Sequence, residues 1–297
     1  MPKIINFFIS LFFLLLLINL TPKLLKEIKD QYKNMLKPKT QIARIKINNT
    51  IDDISFLQEH FEKFFKNKEI KAILLEIDSP GGAAGSSQAL YNEIMHLKVA
   101  HTKPVVALTY NLCVSGAYNI AIAADYIIAA PSALIGSIGS YINQFKINEF
   151  LNQWHIQYEI EKSGAYKSAL NPFTQSTPQQ QEMLQQLADN CYQQFIKDVA
   201  CRRKLSLKNA SEWANGRIFT GTQALKNGLV DEIGSEFNAA QKIKELALIE
   251  HEIEWIKPTY PSLFKKLFTS QDTQPLFSLI QQTKAQIVDY LNTPTIH

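Results

Sequence analysis

A chain of 297 residues, 46% hydrophobic and 20% charged, is long and apolar enough to bury a full core, which excludes a disordered protein. The net charge of +4 is mild, and Lys and Arg are scattered with no dense stripe, which excludes a nucleic-acid surface. Three cysteines, Cys113, Cys191 and Cys201, have no C-x-x-C spacing and no histidine beside them, so neither a disulfide framework nor a metal site follows and no cofactor is expected.

The first element is an apolar run from Ile4 to Leu20, preceded by Lys3 and followed by Lys23, Lys26 and Lys29. It sits at the short end of the ~17–25 residues that cross a hydrocarbon layer. No small-x-small cleavage pattern follows it, so it reads as a retained membrane anchor over 1–21 rather than a removed signal peptide. Residues 22–40, rich in Lys and Leu and closing at Pro38, read as a tether.

A folded domain is expected over 41–250. Gln41 to Ile47 alternates apolar and polar residues as a half-buried strand does, and Ile54, Leu57, Phe61, Phe64 and Phe65 recur at helical spacing up to Lys66. Lys71 to Ile77, Pro104 to Tyr110 and Tyr126 to Ala130 are short apolar runs of strand type, the first two separated by a helical stretch from Ser86 to Leu97. Strands alternating with helices predict an α/β fold, a parallel sheet covered by helices, with chemistry at the carboxyl ends of the strands. Thr177-Pro178 opens a long helix to Lys204 that carries Leu184, Leu187, Phe195 and Val199 on one face. Ser211 to Ile233 reads as short helices and turns punctuated by Gly216, Gly221 and Gly228, and 251–297 reads as a C-terminal extension.

Two loops fall where a strand has just ended and a helix is about to begin: Asp78-Ser-Pro-Gly-Gly82 and Cys113-Val-Ser-Gly116. Side by side, they would set a serine hydroxyl next to glycine N–H groups free to bind an oxyanion. Ser115 is the candidate nucleophile of an acyl-transfer site. Serine attacks a carbonyl only when a neighbour takes its proton. None of the six histidines lies in a loop resembling a triad position, although a Ser-His-Asp set assembled in space stays open. Lys167, in Ser163-Gly-Ala-Tyr-Lys167, is the other candidate base, since burial disfavours the charged amine. Plainer readings exist for each residue: a helix N-cap for Ser115, a solvated loop lysine for Lys167, a tight turn for Gly81-Gly82 and a turn serine for Ser137. Cys113, close to Ser115, reads as a small apolar residue at a strand end.

Taken together, Asp78-Ser-Pro-Gly-Gly82, Val114-Ser-Gly-Ala-Tyr118 with Ala121 to Asp125, Gly136-Ser-Ile-Gly139, Ser163-Gly-Ala-Tyr-Lys167 and Gly216-Arg-Ile-Phe-Thr-Gly221 running to Gly234 resemble the signal peptide peptidase A (SppA) family of membrane-bound serine peptidases, related in fold to ClpP and crotonase. The resemblance covers about 41–250 in the family's order. It implies Ser115 as nucleophile, Lys167 as general base, Ser137 as the lysine's hydrogen-bond partner and the N–H groups of Gly82 and Gly116 as the oxyanion hole. It also implies peptide substrates such as signal-peptide remnants, and a single-pass anchor in a bacterial inner membrane with the catalytic domain outside the cytoplasm. The length suits short members that assemble as homo-oligomeric rings, with Ser and Lys of one site on neighbouring subunits. Ala117 stands where the family usually has a second glycine, and Asn119 where it has a second tyrosine. The rival readings are a crotonase-like acyl-CoA enzyme and a catalytically silent membrane scaffold.

Overall fold

The computed structural model describes residues 25, 26, 29 and 38–259. The expected anchor at 4–20 and most of the tether and extension lie outside the described residues. Among the described residues no helix is long and apolar enough to cross a membrane.

The chain opens with β1 (Lys39–Asn48), α1 (Ser55–Lys66), β2 (Ile70–Ser79), α2 (Ala84–His101), β3 (Val105–Val114), α3 (Gly116–Ala121), β4 (Tyr126–Ala129) and β5 (Leu134–Gly136). After α4 (Asn148–Gln153) and the long α5 (Pro178–Arg203) come α6 (Ala210–Trp213), β6 (Ile218–Thr220), α7 (Gly221–Lys226), β7 (Glu232–Ile233), α8 (Glu236–Leu246) and β8 (Glu252–Ile256). The strands form one sheet in the order β6-β5-β3-β2-β1-β8, with β4 pairing β3 and β7. Every pairing is parallel except β5 with β6. The mixed α/β architecture agrees with the alternation of strands and helices in the sequence.

The near-continuous apolar run of β2, Ile73-Leu-Leu75, is buried because both faces of the central strands are covered. On one face Ile45, Ile47, Ile73 and Leu75 pack with Phe61 and Phe65 of α1 and Leu90 and Ile94 of α2. On the other, Ile42, Leu74, Val106 and Ile128 pack with Ala239 and Ile243 of α8. Beyond α8 this second face turns polar. Arg44 and Lys46 of β1 pair with Glu76 of β2, and a cleft of about 340 Å³ opens there, lined by Lys46, Asn48, Glu76, Asp78 and Tyr110 among others.

Two expectations need correction. β8 lies parallel to the first half of β1, so the domain does not stop at 250 but takes in Ile256. The stretch Ser211 to Ile233 also holds two strands, β6 and β7, too short for a period-2 pattern to show.

Candidate active site

The position of Ser115 follows from the way β3 is shared. Val106 to Thr109 pair with β4, after which Leu112 to Val114 run on beside β5. Ser115 follows at once, with φ 55° and ψ −129°, a left-handed backbone uncommon for a residue with a side chain. Its N–H donates to the Gly136 carbonyl at 2.7 Å, and its carbonyl accepts from Asn119 N–H at 3.0 Å to start α3. The turn is sharp and pinned at both ends. Although Ser115 is at the N-cap position, its side chain makes no capping bond, so the half-buried hydroxyl is not spent on the helix.

The glycines come right up against this turn. A Cβ placed on Gly81, itself at φ 91°, would lie 2.6 Å from Gly116 N and 2.9 Å from Ser115 Cβ. One placed on Gly116 would lie 2.1 Å from Ser87 Oγ and 3.3 Å from Gly82 N. Gly82 is bridged to Ile51, whose N–H donates to Gly81 O and whose carbonyl accepts from Ala83 N–H; this pattern leaves the Gly82 N–H without a protein acceptor among the described residues. Gly116 N–H is at the first turn of a helix, where donors lack intrahelical partners. The two loops that the sequence placed side by side are therefore in contact, with two unspent N–H groups beside the hydroxyl.

Ser137 joins them through the sheet. It follows Gly136, which pairs with Val114, and its own N–H donates to Arg217 O at 2.8 Å. With φ 49° it turns sharply where β5 ends. The Gly216-to-Gly221 segment thus supports Ser137 from the antiparallel side, as β6.

Lys167 is placed differently. Its N–H closes a turn on Gly164 O, and its side chain is exposed, sharing no hydrogen bond with Ser115 or Ser137. The loop is held from behind by buried Gln180, whose Nε2 donates to Ala165 O at 2.8 Å while the same side chain completes a capping box with Thr177 at the start of α5. The structure therefore brings Ser115, Gly82, Gly116 and Ser137 together, and leaves Lys167 facing outward. The described residues do not supply the burial expected around Lys167.

Peptidase family S49 matches residues 98–250, a span that holds Ser115, Ser137 and Lys167. The chain belongs to peptidase family S49. A protein of Synechocystis sp. is 35% identical over 240 residues, covering 79% of this chain and 84% of its own. Serine protease SPPA, chloroplastic, of Arabidopsis thaliana is 32% identical over 194 residues, 65% of this chain and 28% of that protein. Protease 4 of Haemophilus influenzae is 27% identical over 292 residues, 91% of this chain and 45% of that protein. The chain thus spans most of the first relative and less than half of the other two.

As an S49 member it is a serine-type peptidase, and its other candidate groups fit that assignment. Cys113 is fully buried, and loss of solvent pushes its thiol far up, away from the reactive thiolate. His60 is buried in α1 and bonded to Phe56 O at 2.8 Å, which makes it a core histidine. Among the described residues no histidine is hydrogen-bonded to Ser115.

Several supporting contacts of this S49 peptidase are not set by neighbouring residues. Tyr118, buried three residues after Ser115, donates to Leu229 O at 2.7 Å and ties α3 to the turn before β7. Asp231 accepts from both terminal guanidinium nitrogens of Arg203 at 2.8 Å and from Ile127 N–H at the start of β4. Asp125 accepts from Val105 N–H and from Lys98, which fixes the start of β3. The partners of these pairs lie far apart in the chain, so only the fold reveals them.

Proposed function

We propose that this S49 peptidase has a ClpP/crotonase-type fold and hydrolyses peptide bonds with a Ser115–Lys167 pair, acting on signal-peptide remnants or other membrane-proximal peptides. The observation that carries the reading is the left-handed turn at Ser115, which holds an unspent hydroxyl beside the free N–H groups of Gly82 and Gly116. In this mechanism Lys167 Nζ, as a neutral amine, takes the Ser115 proton as Oγ bonds to the substrate carbonyl carbon. The carbonyl oxygen, now negative, receives hydrogen bonds from Gly82 and Gly116. The tetrahedral centre collapses, the C–N bond breaks, and Lys167 returns the proton to the leaving amine. Water then repeats the sequence with the same base and releases the acid. Ser137 orients the amine.

The exposure of Lys167 supports an assembly in which a second copy completes the site. In the 141–154 segment, tied to the stretch after Lys167 by Lys146 Nζ donating to Asn171 O and Thr174 O, Tyr141 is 79%, Phe145 76% and Trp154 66% exposed, an apolar surface that a second copy of the chain would cover. Covering it would also remove Lys167 from water, as a neutral amine requires. The apolar run at 4–20 anchors this ring in a bacterial inner membrane, with the catalytic domain on the extracytoplasmic side. Membership of the S49 family sets aside the acyl-CoA reading. Labelling the full-length protein with a fluorophosphonate, then mapping the modified residue by mass spectrometry, tests the proposal. Modification of Ser115 supports it, and an unlabelled protein would favour the silent scaffold.

A further inference from the structure

Ser87, on α2, is 1% exposed, and its hydroxyl has no hydrogen-bond partner among the described residues. That is unusual for a buried hydroxyl. A serine inside a helix can either point to solvent or donate to the carbonyl four residues back, here Ala83 O, yet Ser87 is buried and that carbonyl receives the Ser87 N–H, at 3.0 Å, and not its hydroxyl. The Ser87 side chain instead faces Gly116: its Oγ lies 2.1 Å from the point a Gly116 Cβ would occupy, and Gly82 N lies 3.3 Å from the same point. An unpaired hydroxyl and an unpaired N–H thus flank Gly116 at the back of the nucleophile turn.

We propose that Ser87 is a positioning residue for peptide hydrolysis, setting the spacing of the Gly82 and Gly116 N–H groups. The inference rests on the oxyanion role given to those two groups above. Its hydroxyl is unpaired in the resting chain and gains its hydrogen bond when the 81–83 loop and Gly116 close on the negative oxygen. An interaction made only in the transition state raises turnover without tightening substrate binding. The absent side chain of Gly116 has a second reason here, because any Cβ would displace Ser87.

The test compares Ser87→Ala, Ser87→Cys and Ser115→Ala in the full-length protein, with a fluorogenic peptide and thermal unfolding as readouts. Ser87→Ala should lower kcat by about tenfold or more, less than the ~10²–10³ lost with an oxyanion donor itself. KM should not change, and Tm should hold or rise, since a buried hydroxyl without a partner destabilises the resting fold. Ser87→Cys, similar in size but a weak donor, should be as slow as Ser87→Ala. Wild-type kcat in Ser87→Ala would overturn the proposal, as would a lowered Tm with full activity restored by cysteine, which marks a packing role. If Ser115→Ala is inactive while Ser87→Ala is not impaired, this inference alone fails. If Ser115→Ala stays active, the site reading fails and this inference with it.

Discussion

Gly81 and Ser115 touch so closely that a Cβ on the glycine would fall 2.9 Å from the serine Cβ, with Gly116 N nearer still at 2.6 Å. The glycine also has φ 91°, a region that costs a side-chain-bearing residue ~1–2 kcal/mol. Gly81→Ala is therefore expected to push the 81–82 loop away from the nucleophile. Peptidase activity should fall at least about a hundredfold, the scale of losing one oxyanion donor. Kinetics on a fluorogenic peptide check this, alongside circular dichroism to confirm a folded protein.

Exposure of Lys167 predicts complementation between inactive chains. A ring co-assembled from equal amounts of Ser115→Ala and Lys167→Ala subunits should regain roughly a quarter of wild-type activity if each site takes its serine and lysine from neighbours. Chains that each carried a complete site would regain nothing. Co-expression with two affinity tags and assay of the doubly purified protein measures it.

Charge alone cannot replace the amine. Lys167→Arg should be as inactive as Lys167→Ala, because a guanidinium stays protonated and cannot accept the Ser115 proton. Both variants should still bind substrate peptide, which an equilibrium binding measurement checks. Substantial activity in Lys167→Arg would show that the residue serves only as a positive charge.

Acid stability is expected to depend on Glu76. Burial by itself would raise its carboxyl pKa, but hydrogen bonds from Lys46 and Arg44 outweigh burial and hold it below the usual range. A carboxylate depressed in the folded state contributes stability above its unfolded pKa of about 4.3, and that contribution is lost as pH falls through the folded value. Glu76→Gln should be less stable than wild type at neutral pH and lose less on acidification. Tm measured from neutral to strongly acid pH tests the convergence of the two curves.

Residues 4–20 are expected to remain on the mature protein and hold it in the membrane. Carbonate extraction should leave the full-length chain in the pellet, and N-terminal sequencing should find no cut after Leu20. A chain truncated before residue 38 should be released into the supernatant.

Much of this protein is local and so was legible in the sequence. The alternation in β1, the apolar run of β2 and the Thr177-Pro178 helix start are patterns carried by adjacent residues, and the structure forms those elements there. The two loops at the carboxyl ends of β2 and β3 were legible for the same reason, since a parallel α/β sheet brings such ends together. What the sequence could not settle depends on distance in the chain. The two- and three-residue strands β7 and β6 exist because longer strands pair with them, and no period shows in so few residues. Ser87 looks like any polar residue at the start of a helix until tertiary packing sets it against Gly116. Lys167 read as a residue in a desolvated site. Burial, though, belongs to surfaces that meet, and within one chain the Gly164 turn and Gln180 hold that lysine out in solvent.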